Sequence, residues 1–151
     1  MNRDRFKFRV WDKHRKEYVE RYVIGVDGWA YCLGDVGDDW YELNPNEDVI
    51  IEQCTGLKDK NGKLIYENDV VNMYIHYEDA YRKCVVQYCI DEGTAQWLAV
   101  YLEGKRHHCS MNIQYDITSE YLDGSCCTVI GNIHDDQFRE VTKMVEDKDN
   151  E

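Results

Sequence analysis

Metal-capable side chains are densest at His107-His108-Cys109, with Cys126-Cys127 following later in the chain. Zinc asks for three or four ligands converging within about 2.0–2.3 Å of one point. On a regular strand successive side chains point to opposite faces, so His107 and Cys109 share a face while His108 points away. Cys126 and Cys127 diverge in the same way. No CxxC or HxxxH spacing occurs, and neither a metal site nor a cofactor is expected. Nucleophilic catalysis would need a cysteine, a histidine base and an orienting carboxylate brought together by the fold. Seven cysteines, five histidines and thirty acidic residues make chance combinations abundant, yet no nucleophile elbow, P-loop or dinucleotide fingerprint is present. A small metal- or Cys/His-dependent hydrolase is therefore the alternative reading, behind a non-enzymatic one.

Binding chemistry has more to work with. Arg82-Lys83 and Lys105-Arg106-His107-His108 are islands of positive charge at the ends of predicted strands, near Tyr88, Trp97 and Tyr101 in hairpin order. Cationic groups hold phosphates and aromatic faces stack on bases, so this mixture suits a small nucleotide-type anion. The plainer account is that basic residues at strand ends are solvated turns that protect sheet edges.

The charge of the whole chain points elsewhere. Its net charge is −12, and the first 24 residues carry eight basic against four acidic side chains, so the remainder is more acidic still. Residues 34–52 hold seven carboxylates and no Lys or Arg. Asp35, Asp38, Asp39, Glu42, Glu47 and Asp48 from that segment are candidate contacts for a basic protein partner, as a DNA mimic or otherwise. The plain account is a solvated acidic face that favours solubility. Such a field repels phosphate backbones, so general nucleic-acid binding is not expected.

These residues sit on a chain patterned for strands. Phe6, Phe8 and Val10 alternate with Lys7, Arg9 and Trp11, and Tyr18, Tyr22 and Ile24 follow on one face. Asp27-Gly28 marks a hairpin, with a type I′ turn expected. A strand over residues 49–55 and a tight turn at Asn61-Gly62 come next. Alternation resumes at Val71, Met73, Ile75 and Tyr77, then at Cys84, Val86, Tyr88 and Ile90, then over residues 95–102 and 106–113 as a meander of hairpins. Residues 116–122 read as a short helix or a loop, and residues 126–133 as the last strand. Phe138, Val141 and Val145 predict a short C-terminal helix. The expectation is a mostly β, barrel- or sandwich-like domain over residues 1–145, with a charged tail at 146–151. Assembly into a homo-oligomer is one way to cover its sheet edges.

No apolar run approaches the roughly 18 to 20 residues of a membrane span, and the N-terminus lacks the apolar core of a secretory signal. A cytoplasmic location is expected. In that reducing setting most cysteines serve as buried small hydrophobes.

Three stretches carry a family resemblance. Gln53-Cys-Thr-Gly-Leu-Lys-Asp-Lys-Asn-Gly-Lys-Leu-Ile-Tyr-Glu-Asn-Asp-Val-Val71, Lys7-Phe-Arg-Val-Trp-Asp12 and Val129-Ile-Gly-Asn-Ile133 resemble, in order, the signatures of the YopX family of phage and prophage proteins. The chain departs from them at Cys54, where an aromatic is usual, and at Asn68, where glycine is usual. Asparagine tolerates positive φ, so the second departure is expected to keep the turn. The signature reads as structural punctuation, with Asp69 placed to accept backbone amides. The resemblance implies a phage accessory protein acting inside an infected or lysogenic bacterium, and it implies no known reaction. The expected function is to bind and sequester or modulate a host component, either a host protein or a small nucleotide defence signal.

Overall fold

The computed structural model describes residues 3–33, 40–44, 47–91, 94–102 and 119–139. In chain order the strands are β1 (Phe8–Asp12), β2 (Glu17–Tyr18), β3 (Tyr22–Ile24), β4 (Ala30–Leu33), β5 (Trp40–Leu43), β6 (Val49–Lys58), β7 (Leu64–Tyr66), β8 (Asp69–Ile75), β9 (Ala80–Asp91), β10 (Thr94–Tyr101), β11 (Ser119–Tyr121) and β12 (Cys127–Asn132). They form three antiparallel sheets, ordered β2-β1-β6-β7, β3-β4-β5 and β11-β10-β9-β8-β12, one of them curled into a half-barrel. The all-β class expected from the alternation is the class found.

Local patterning explains the hairpins. Gly28 (φ +81°) and Gly62 (φ +84°) close two turns of the same construction. In each, the glycine N–H bonds back three residues, to Gly25 or Asp59, and the carbonyl of the following residue accepts from that same residue's N–H. Asp27 is not left-handed, whereas a type I′ turn needs positive φ at both central positions. The hairpin is present but its turn is a wider one, closed by a single left-handed glycine. The first strand also begins later than its alternation suggests, because Asp4–Phe6 winds into a 3-10 turn that leaves Phe6 exposed.

The meander holds from β8 through β10, with β9 and β10 in register from Thr94↔Asp91 to Tyr101↔Cys84. It does not describe the first sheet, where β1 pairs with β6 across the whole β3-β4-β5 hairpin set. The end of the segment read as helix or loop is a strand, β11, which adds to β10. Residues 106–113 and the helix expected through Val141 and Val145 lie outside the described residues.

Burial follows the register. Val71, Met73, Ile75, Cys84, Val86 and Ala99 line one face of the five-stranded sheet and form the main core with Ile65, Leu122 and Cys127. Val85 points the other way, onto Val70 and Phe138. Val10, Ala30 and Val49 make a third cluster between the four- and three-stranded sheets. Cys32, Cys54, Cys84 and Cys127 are buried, as the reading of cysteine as a small hydrophobe anticipates.

Candidate functional site

Strand alternation that buries Val10 turns Arg9 and Trp11 to the opposite face of β1. Arg9 stands directly across from Glu52 on β6, and that face is covered by the head of β8 and the turn after β12. The result is a buried charge network. Arg9 Nε donates to Glu52 Oε2 at 2.5 Å, and Nη2 donates to Asp69 Oδ1 at 2.7 Å and to the Glu67 carbonyl at 3.2 Å. The guanidinium lies between two rings, 4.9 Å from Tyr18 and 4.7 Å from Tyr66, a geometry in which π faces favour the cation.

Glu52 is fully buried (0% exposed). Besides Arg9, its carboxylate accepts from Tyr18 Oη at 3.0 Å, from Asn68 Nδ2 at 3.1 Å and from His134 Nε2 at 2.9 Å. Four donors match the four lone-pair sites of a carboxylate. Asp69, 2% exposed, accepts from Arg9 and Asn132 on Oδ1 and from the Tyr66 N–H on Oδ2. His134 lies flat on Trp11, centroids 4.2 Å apart and planes 2° from parallel. Among the described residues no buried side-chain nitrogen or oxygen lacks a partner.

The electrostatics split the two acids. Burial pushes Glu52 upward, but the hydrogen bond from His134 and the charge and hydrogen bond of Arg9 outweigh it, so its pKa falls below the ordinary glutamate value. For Asp69 burial wins over Arg9 and the Tyr66 amide, and its pKa rises. Burial likewise raises Glu67. Arg9 also resists desolvation, through Glu52 first and then Asp69, and stays charged.

Each family-like stretch contributes to this cluster: Arg9 and Trp11 from the first, Glu67, Asn68 and Asp69 from the second, Asn132 from the third with His134 just beyond it. Asn68 has φ +63°, so the departure from glycine keeps the left-handed turn and adds a donor to Glu52. Asp69 caps Tyr66, as read from the sequence. Asp59 does similar work, accepting from the N–H groups of Asn61, Lys63 and Val129. Glu52, by contrast, is part of no solvated acidic face. Arg9, Glu52 and His134 escape a reading by spacing, and the one signal for them is that polar residues occupy or adjoin all three signature stretches. With both oxygens of Glu52 and both of Asp69 engaged, the network holds the sheets together.

The residues singled out for ligand binding are only partly together. Arg82, Tyr88, Trp97 and Tyr101 share a face of β9 and β10, with Tyr88 and Trp97 rings 4.9 Å apart across the strands. Arg82 Nε donates to Glu78 at 2.6 Å, and Tyr101 shares a hydroxyl contact with Tyr77 at 2.9 Å. Lys83 points to the opposite face. Lys105, Arg106, His107 and His108 lie outside the described residues, as do Asp35, Asp38 and Asp39. Glu42 and Glu47 are exposed, while Asp48 accepts from the Asn44 N–H and from His14, which hold its pKa down.

A second feature is a cavity of about 210 Å³ between the end of β8 and the β11–β12 connection. Met73 and Ile75 line it, with Tyr77, Tyr121, Asp123 and Cys126. Tyr77 and Tyr121 are 63% and 71% exposed. Burial pushes the Cys126 thiol up and carries Cys127 to about 12, opposite to the thiolate character that a nucleophilic cysteine needs. Among the described residues no group of three or more His, Cys, Asp and Glu side chains is placed to hold a metal ion. Among the described residues no helix is long and apolar enough to cross a membrane.

An all-β fold whose signature stretches meet in one charge network defines the class. The chain belongs to the YopX family, whose model, described as YopX protein, matches residues 7–138. Two solved structures are similar. Protein EF1440 from Enterococcus faecalis is 25% identical, with 85% of this chain and 92% of that one covered and a TM-score of 0.41. Protein yopX from Bacillus subtilis is 16% identical, with 84% and 91% covered and a TM-score of 0.49. No curated protein matches the chain.

Proposed function

We propose that this chain is a non-enzymatic binding protein that engages a protein of its bacterial host through the rim of the cavity at β8 and β11. The observation that carries this reading is the pair of largely exposed tyrosines, Tyr77 and Tyr121, on either side of a concave, partly apolar site. Tyrosine supplies large contact area at small entropic cost and is enriched in protein interfaces. The chain's net charge of −12 favours a basic partner, with Glu42, Glu47 and the rest of the acidic segment steering its approach. A phage setting, implied by the family resemblance, makes a host component the natural target.

Sequestration of a small nucleotide is the weaker version. The described cation on the aromatic face, Arg82, is already bonded to Glu78.

The test is affinity capture from host lysate with the wild type and a Tyr77→Ser/Tyr121→Ser variant. A host protein retained by the wild type and lost by the variant is the expected result. Identical capture by both overturns the assignment to this rim. An extra mass of a few hundred daltons on gently purified protein in native mass spectrometry would favour the nucleotide version instead.

A further inference from the structure

We infer that the cavity between β8 and the β11–β12 connection receives a cationic side chain, arginine or lysine, from the bound partner. This rests on the proposed protein-binding reading and names the chemistry of its central contact. At about 210 Å³ the cavity falls below the roughly 300–1,000 Å³ of sites for drug-sized ligands, so one side chain is the better match. Met73 and Ile75 offer an apolar lining to an aliphatic stem, which long cationic side chains bury readily. Tyr77 and Tyr121 are open enough for a cation to sit against their ring faces.

The anionic partner is Asp123. Its Oδ1 accepts from Ser125 twice, from the backbone N–H at 2.8 Å and the hydroxyl at 2.7 Å. Those bonds fix the carboxylate and hold its pKa below the usual aspartate range, with the Cys126 thiol and His76 acting in the same direction. The surroundings favour positive charge. Glu78 and Asp79 follow Tyr77 directly, Arg82 is engaged by Glu78, and among the described residues lining the cavity His76 is the one basic group. An anionic ligand would meet this surplus of carboxylates at a cost.

The probe is N-acetyl-arginine methylamide, titrated into isotope-labelled full-length protein and followed by NMR, with the citrulline analogue as its uncharged isostere. Saturable shifts at Tyr77, Tyr121 and Asp123 in the millimolar range, absent with citrulline, are expected. Asp123→Asn removes the charge yet keeps a side-chain oxygen for Ser125, since asparagine caps as well as aspartate, so folding is preserved. It should weaken the arginine derivative about fivefold, the most that an exposed ion pair commonly supplies. Equal response to citrulline, no saturable shift at these residues, or unchanged affinity in Asp123→Asn overturns the inference. If Tyr77→Ser/Tyr121→Ser loses a host protein that Asp123→Asn still captures at full strength, the binding rim stands and the cation site falls. If the tyrosine variant keeps that protein, the rim itself is wrong.

Discussion

Arg9 and Asp69, 60 positions apart in the chain, meet at 2.7 Å across the boundary between two sheets. Arg9 belongs to β1 of the four-stranded sheet, and Asp69 opens β8 of the five-stranded one. A buried ion pair gains little over apolar packing, but removing one partner strands the other without water or counter-charge. Arg9 faces two such partners, Glu52 and Asp69, and so ties three strands together at one point.

Arg9→Met should therefore destabilise the protein by about 3 kcal/mol, the lower range for breaking a buried pair. Urea unfolding followed by tryptophan fluorescence measures it. Arg9→Lys should lie between the two, since lysine keeps the charge but loses the planar fork that serves both acids and the stacking between Tyr18 and Tyr66. A loss within about 0.5 kcal/mol for Arg9→Met, the range of ordinary surface changes, would mean that the network carries no cohesion.

Asn68 separates backbone strain from hydrogen bonding. Its φ of +63° costs a side-chain-bearing residue other than Asn or Asp about 1–2 kcal/mol. Asn68→Gly relieves the backbone and loses the bond to Glu52, whereas Asn68→Ala loses the bond and takes on the strain. The alanine variant should be the less stable by at least about 1 kcal/mol in the same unfolding assay. Equal stabilities would show that the turn relaxes out of the left-handed region.

What the sequence discloses depends on how far apart the partners are. Alternation at Val71, Met73 and Ile75 and again at Cys84 and Val86 identifies the core face directly, because one hairpin turn fixes the register of each strand with the next. The Asp59 and Asp69 caps are legible for the same reason, since carboxylate and amide lie within a few residues. The pairing of β1 with β6 is not local, so nothing near Glu52 marks it as the partner of Arg9. It sits among seven carboxylates and looks like one more solvated charge. The cavity is hidden likewise, because Tyr77 and Asp123 come together only when β11 joins β10 and β12 joins β8.

Gly62 and Gly124 are both glycines for physical reasons, and the reasons differ. Gly62 has φ +84° with open space where a side chain would go, whereas a Cβ on Gly124 would run into the carbonyl oxygen of Lys58. Asparagine tolerates the first constraint and worsens the second. Gly62→Asn should thus melt close to the wild type and above Gly62→Ala. Gly124→Ala should lose about 1–3 kcal/mol, and Gly124→Asn more. Thermal melts of the four variants check the ordering, and a tolerated Gly124→Asn would contradict the packing of the β11–β12 connection against β6.

Glu52 and Asp69 respond to acid in opposite senses. Glu52 has its pKa lowered from 4.5, so the unfolded chain binds the proton more tightly. Its stabilisation is complete above 4.5 and is lost as pH falls through the folded value. Asp69 has its pKa raised from 3.8, so the folded chain holds that proton more tightly and stability is regained as pH falls from the raised value toward 3.8. Glu67 adds to the second sense, and Asp48, Asp59 and Asp123 add to the first. Stability from urea titrations should decline on acidification below the ordinary glutamate range. Glu52→Gln should make that decline shallower, whatever its effect at neutral pH, because a titrating group with a depressed pKa is gone. Asp69→Asn should make it steeper, because the opposing term is removed. Parallel curves for all three proteins would show that neither carboxylate changes its proton affinity on folding, and the opposed electrostatics assigned to the network would be wrong.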